Sequence, residues 1–326
     1  MGTESLTESI TRNAEKGPRE RIVRLFFLSC ALLSVATTVS IIVLLATEAA
    51  IFFEDVSIVR FLTGTEFYLG ADPQFGVLPL VVGTLVITVG AAVIALPLGV
   101  ATAIYLSEYA STRTRSVLKP ALEILAGVPT VVYGFLAVAY ITPALEPVVM
   151  SLTGEDLGFF NALSASIVVG IMIIPMVSSI SEDAMSAVPD ELRQAGYGMG
   201  ATKFDVSTGI VVPAAVSGIA SSFILALSRA IGETMAVTIA AGNTPRMVEV
   251  ATIDLGPVGI PYPDPTIYFK SIQTMTAAMV DIAGSDIAGG GVMYQSLFAI
   301  GFTLFAITLV MNIVSDRIAA HYREEY

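Results

Sequence analysis

The 326-residue sequence has little charge, no tryptophan, one cysteine and one histidine. Only 13% of its residues are charged, against roughly 25% in soluble domains. Because Cys30 is the lone cysteine, the chain can form neither a disulfide framework nor a cysteine-based zinc site. Because His321 is the lone histidine, a histidine metal cluster is excluded and a histidine-activated nucleophile is disfavoured. Cysteine-based and histidine-based sites are therefore not expected in this chain.

Apolar residues are what the sequence has in abundance. They make up 55% of the chain, and the mean hydropathy is +0.80, which predicts an integral membrane protein. A bilayer core needs about 20 apolar residues of helix. The segments that meet this length are 25–46, 77–105, 121–141, 162–180, 219–240 and 296–314. The first is too long for a signal-peptide core and lacks a small-residue cleavage site, so we expect a retained anchor.

The basic residues are distributed unevenly over the connections between these six spans. Twelve lie in one set of connections, whereas the opposite set holds only Arg60, Arg246 and Lys270. The positive-inside rule therefore places both termini in the cytoplasm. We expect a multi-pass plasma-membrane protein with a tail, first helix and outer loop at 1–75, a transmembrane domain at 76–317 and a cytoplasmic tail at 318–326.

The overall charge is acidic, with a formal net charge of −12 and twelve arginines against four lysines. An acidic, lysine-poor surface keeps proteins soluble in very high salt. A halophilic source is one interpretation, and an ordinary acidic protein is the other. We expect no nucleic-acid partner.

Two charges interrupt the fifth predicted span, which contains the stretch LALSRAIGETMAVTIA (225–240). Arg229 is the eleventh residue of this span, near the bilayer midplane, where a charge costs about 2.5–3.5 kcal/mol and normally faces a bundle interior or a water-filled path. Glu233 lies four residues further on, so the two are expected to pair on one helix face, with hydroxyls from Ser228 and Thr234 nearby. The pair either locks helices together or forms a permeation site, in which the planar donor fork of arginine binds an anion.

The connection between the fourth and fifth spans, residues 181–213, is the longest on the predicted cytoplasmic side. Pro189 and Asp190 predict the start of a short helix, Gly200 a turn, and Thr202 the start of a second helix. Such a loop is either a docking element for a partner protein or a structured linker. The phosphate-loop pattern G-x-x-x-x-G-K-[ST] does not occur in the sequence, so we expect no ATP hydrolysis by this chain.

This loop resembles the EAA loop of the permease subunits of ABC importers. That pattern is Glu-Ala-Ala, three residues, Gly, nine residues and then Ile-x-Leu-Pro. The spacing is the same here, and the corresponding positions are Gln194, Ala195, Gly196, Gly200 and 210–213. The sequence departs from the pattern at Gln194, Gly196 and Val212, and the first departure removes a carboxylate that could engage the partner.

Four further stretches narrow the resemblance. They are similar to the phosphate-specific importer, most of all to its PstC-type permeases. The stretches are GVPTVVYGF (127–135), ALPLGVATAIYLSEYA (95–110), SRAIGETMAVTIAAGN (228–243) and YFKSIQTMTAAM (268–279). The resemblance covers about 76–317. It implies an all-α type I ABC importer permease fold with six transmembrane helices. The substrate-pathway residues that it implies are Ser228, Arg229, Glu233 and Thr234.

The resemblance also implies partners. They are a second, PstA-like permease, two PstB-like ATPase subunits that hold ATP and Mg²⁺, and an extracellular phosphate-binding protein. The residues implied to couple to the ATPase are Glu191, Gln194, Ala195, Gly196, Gly200 and Pro213. A permease for another oxyanion, such as sulfate or molybdate, is the main alternative. A membrane-embedded enzyme is disfavoured because the spans contain neither an HExxH motif nor a pair of carboxylates.

Overall fold

Helices dominate the protein, as expected for a chain in lipid, where each backbone group must find its partner within its own segment. The computed structural model describes residues 18–255, 258–285 and 291–321. Within these ranges, five helices are long and apolar enough to cross a bilayer, and the number of candidate spans is six when one bent helix pair is counted as a single span. The predicted all-α, six-span architecture is therefore confirmed. Most of the two predicted cytoplasmic tails, at 1–17 and 322–326, lies outside the described residues.

The helices are numbered here in chain order over the described part of the chain. They are α1 (Pro18–Asp55), α2 (Ile58–Thr63), α3 (Leu78–Tyr109), α4 (Thr112–Ala126), α5 (Thr130–Thr153), α6 (Ala162–Ser186), α7 (Asp190–Gly198), α8 (Lys203–Ala214), α9 (Val216–Ile231), α10 (Met235–Ala240), α11 (Met275–Gly284) and α12 (Val292–His321). Single π-helical turns end α3 at Tyr105–Tyr109 and interrupt α5 at Ala137–Ile141 and α8 at Ser207–Val211.

Two small antiparallel hairpins lie in connections that the sequence predicts to be outside the membrane. Strands β1 (Phe67–Tyr68) and β2 (Gln74–Phe75) form one, with Phe67 paired to Phe75. Strands β3 (Val250–Leu255) and β4 (Val258–Pro263) form the other.

Helix α6 is the centre of the bundle. Ala165, Val169, Ile173 and Val177, spaced four apart, are fully buried, and they form the stripe that neighbouring helices cover. Helix α3 approaches this stripe closely at Gly99, where an added Cβ would lie 2.6 Å from the Val177 side chain. Small residues permit such close contact between membrane helices.

The third predicted span, 121–141, is wrong in its position. Residues 112–126 form the separate helix α4, none of whose side chains is buried, and the actual span is α5 at Thr130–Thr153. The helix break falls at Gly127 and Pro129, because proline removes a backbone donor and disfavours helical geometry in the residue before it. Hydropathy summed over this region does not reveal the break.

The fifth predicted span, 219–240, is not one helix. Helix α9 ends at Ile231, and the short helix α10 starts only at Met235. The Glu233 side chain accepts a hydrogen bond from the Ala236 amide at 3.3 Å, and the Thr276 hydroxyl donates to the Glu233 carbonyl at 2.8 Å. Together these contacts satisfy backbone groups that the break exposes. At its other end, α9 meets α8 at a bend of 68°.

Candidate functional site

The packing of α9 against α6 fixes the depth of Arg229. The Ser222 and Ser181 hydroxyl oxygens lie 2.9 Å apart, and Gly218 contacts Ala184, so the two helices run antiparallel. Arg229 follows Ser222 by seven residues, or about 10 Å at 1.5 Å per residue. It is therefore level with the middle of α6, at about half the depth of the helix bundle.

The Arg229 side chain is exposed on the surface of the described chain. The described residues give it no ion pair and no side-chain hydrogen bond. The neighbouring Ser228 hydroxyl donates to the Asn312 side-chain oxygen of α12 at 2.7 Å. A guanidinium at this depth that finds no partner within the described residues must face water, an anion or another subunit.

Glu233 does not pair with Arg229, which corrects the expected i, i+4 ion pair. The helix ends between them, and the Glu233 side chain turns inward, with only 8% of the residue exposed. Thr234, also in the break, donates its hydroxyl to the Gly232 carbonyl at 3.2 Å. Of the four predicted pathway residues, Ser228 and Arg229 are adjacent on α9, whereas Glu233 and Thr234 shape the break.

The loop at 181–213 has the predicted pair of helices. Pro189 precedes the first residue of α7, and Gly200 makes the turn with a φ of 86°, a conformation that favours glycine. Thr202 and Asp205 then form a reciprocal capping box at the start of α8.

The two faces of this helix pair differ sharply. Gly196 is buried against α8, and an added Cβ there would lie 2.6 Å from the Ile210 side chain. Five of the six predicted coupling residues are exposed instead. They are Glu191, Gln194, Ala195, Gly200 and Pro213. Large apolar side chains are exposed beside them at Tyr197, Met199 and Phe204.

A cluster of ion pairs lies at the same end of the bundle. The Glu182 side chain of α6, 1% exposed, forms ion pairs with Arg115 and Lys119 of α4. The Lys119 ammonium lies 2.8 Å from Glu182 and 3.1 Å from Asp183. The buried carboxylate is thus neutralised by two cations that remain about one-third exposed, so α4 is fastened to the end of α6.

Reasoning from the sequence missed Asn312 and this cluster. Asn312 is a lone amide in the sixth predicted span, and a search of the spans for polar as well as charged side chains would have found it. Glu182 and its partners are more than 60 residues apart along the chain, and no spacing rule connects them.

Among the described residues, several membrane-spanning helices, an exposed arginine at mid-depth and a structured helix pair at one end are the features expected of a multi-pass membrane permease. A family model described as the binding-protein-dependent transport system inner membrane component matches residues 95–324. The chain belongs to this family, which comprises permease subunits of ABC importers.

The relatives agree with this assignment. The chain is 37% identical over 224 residues to a probable ABC transporter permease, YqgH of Bacillus subtilis, covering 68% of this chain and 71% of the relative. It is 32% identical over 267 residues to the phosphate transport system permease protein PstC of Mesorhizobium japonicum, covering 77% and 75%.

A solved bacterial ABC transporter for alginate import supports the fold. It superposes with a TM-score of 0.64 at 14% identity and covers 96% of this chain and 100% of its own. The type I ABC importer permease fold expected from the sequence is confirmed.

Proposed function

We propose that this chain forms, together with a second, PstA-like permease, the membrane pathway of an ATP-driven importer for inorganic phosphate. Both termini lie in the cytoplasm, where two PstB-like ATPase subunits bind ATP and Mg²⁺. A phosphate-binding protein delivers the ion at the outer face. The relatives named as phosphate transport permeases support this choice of substrate.

The observation that carries the proposal is the exposed guanidinium of Arg229 at mid-depth. A charge in this position costs about 2.5–3.5 kcal/mol unless it faces an aqueous path or a counter-ion. Arginine remains protonated and offers a planar fork of donors that matches the oxygens of phosphate. Arg229 is therefore the residue that binds the passing anion, between the two permease subunits.

Release of the ion is favoured because this site offers few groups that bind it. A conducting site must bind its ion weakly enough to let it leave. Arg229 supplies one cation, and Ser228 lies beside it with its hydroxyl proton directed to Asn312. Glu233 and Thr234 act less directly, by holding the helix break that follows Arg229.

The outer face of the α7–α8 helix pair is the proposed contact with the ATPase. Glu191, Gln194 and Ala195 are exposed, and so are the apolar side chains of Met199 and Phe204 that follow them along the pair. Exposed apolar patches rimmed by polar residues are typical of protein interfaces. Gly196, Gly200 and Pro213 serve the same contact by setting the geometry of the pair.

Uptake by the purified complex in vesicles tests the proposal. With the binding protein outside and ATP at the ATPase subunits, labelled phosphate should accumulate only when ATP is present. A large excess of unlabelled phosphate should abolish the signal, whereas the same excess of sulfate or molybdate should leave it unchanged. ATP-dependent uptake of sulfate or molybdate in place of phosphate would show that the substrate assignment is wrong.

A further inference from the structure

The end of α3 carries a buried carboxylate that the transport pathway does not use. Glu108 lies in the π-helical turn Tyr105–Tyr109, and its side chain is only 5% exposed. A π-helical turn widens a helix locally and is frequent at functional sites. A buried carboxylate needs a cationic partner to offset its desolvation, and Glu108 finds one 85 residues further along the chain.

That partner is Arg193 of α7, on the side of the helix that faces the bundle. Its Nε and Nη2 atoms donate to Glu108 Oε1 at 3.4 and 3.2 Å. Nη2 also donates to the Met185 carbonyl at 2.8 Å, while Nη1 donates to the Val188 carbonyl and to Asp190. With five hydrogen bonds and 14% exposure, this one side chain fastens α7 to the ends of both α3 and α6.

Helices α6 and α9 connect the α7–α8 helix pair to Arg229. Helix α6, whose end Arg193 contacts, is bonded to α9 through Ser181 and Ser222. Arg229 lies on α9, seven residues beyond this contact. Each step between helices along this route is a hydrogen bond between side chains or to a backbone carbonyl, and α9 itself connects Ser222 to Arg229.

We propose that Arg193 is a positioning residue that transmits ATPase movement from α7 to the transport pathway, an inference that rests on the proposed function. A partner on the exposed face of α7 moves that helix, and the bonds of Arg193 to Glu108 and Met185 carry the movement into α3 and α6. Without them, α7 moves while the pathway helices stay behind. The ATPase then still turns over, but hydrolysis no longer drives uptake efficiently.

The variants Arg193→Lys and Glu108→Gln test this inference in the assembled complex. Lysine keeps the charge but cannot reach Glu108 and both carbonyls at once, because it lacks the guanidinium fork. Glutamine keeps the shape of Glu108 and removes its charge. In both variants we expect the ATPase rate and the amount of assembled complex to stay near wild type. The phosphate transported per ATP hydrolysed should fall by at least roughly fivefold, equivalent to about 1 kcal/mol.

Arg113→Lys is the matched control, because Arg113 is exposed on α4 and the described residues give its side chain no bond. Its ratio of phosphate to ATP should equal that of wild type. The exchange Arg193→Glu with Glu108→Arg should recover part of the ratio that each single exchange loses, since the ion pair is restored in reverse.

Two results would overturn the inference. One is an unchanged ratio of phosphate to ATP in both variants. The other is loss of assembled complex in both, with a normal ratio in what remains, which would make Arg193 a purely structural anchor. Transport measured with the wild-type complex distinguishes failure of this inference from failure of the proposed function. If it transports a different oxyanion, the substrate proposal fails, and the same ratio measured with that ion still tests Arg193.

Discussion

Arg193 and Arg229 are two arginines in very different surroundings. Arg193 belongs to the loop helix α7, yet its side chain is 14% exposed and makes five hydrogen bonds to its own chain. Arg229 belongs to a membrane-spanning helix at mid-depth, yet it is exposed and has no side-chain bond to the described residues. The usual expectation for a loop and for a membrane helix is the reverse.

The comparison is between charges that are paired within the chain and a charge that the described residues leave unpaired. At the α7 end of the bundle, Glu182 and Glu108 are both buried, and both have their cations within the chain. At mid-depth, Arg229 has no such partner among the described residues, so its counter-charge must come from elsewhere. Removing both cations of Glu182 should therefore cost stability, whereas removing the charge of Arg229 should cost transport.

Removing both cations from Glu182 should have the largest effect, and it should act on stability. The double variant Arg115→Met with Lys119→Met leaves this carboxylate, 1% exposed, without either cation, and an uncompensated buried charge costs about 3–5 kcal/mol. We expect the melting temperature of the purified permease in detergent to fall by roughly 5–10 °C. Each single variant should lose much less, because one cation remains. Arg113→Met is the control, and an equal loss in the control would mean that the cluster contributes nothing specific.

Removing the unpaired charge should act on transport and leave the fold intact. Arg229→Gln keeps length and polarity but loses the cation, so phosphate uptake per assembled complex should fall at least about tenfold, equivalent to about 1.4 kcal/mol of anion stabilisation. Glu233 is not paired with Arg229, so the variant strands no carboxylate and its melting temperature should stay at the wild-type value.

Arg229→Lys sharpens this test. It retains the charge without the planar fork, so its uptake should lie between those of Arg229→Gln and wild type. Arg113→Gln is the control for the loss of one arginine. Normal uptake per complex in Arg229→Gln, combined with poor assembly, would instead identify Arg229 as a structural contact to the second subunit.

The sequence predicts the parts of this picture that depend on composition and local chemistry. Hydropathy predicts the number of spans. The cost of inserting a charge singles out Arg229, and the conformational freedom of glycine predicts the turn at Gly200. The position of the third span is not predicted, because summed hydropathy passes over the break at Gly127 and Pro129. The Glu182 cluster and the bond between Arg193 and Glu108 join residues more than 60 positions apart, so only the fold reveals them.

The smallest predicted effect concerns the one side-chain bond next to Arg229. Asn312→Ala removes the acceptor of the Ser228 hydroxyl on α12, and such bonds between membrane helices contribute about 0.6 kcal/mol on average. If this bond holds the Arg229 segment of α9 in place, phosphate uptake per complex should fall about threefold, the factor that this energy corresponds to. Ser228→Ala should have the same effect, and combining the two should add little, because both remove a single interaction. Thr303→Ala is the control on α12, since the Thr303 hydroxyl bonds only to the Ala299 carbonyl of its own helix. Additive losses in the double variant would mean that Asn312 and Ser228 contact the ion path separately, and that the bond between them does not position Arg229.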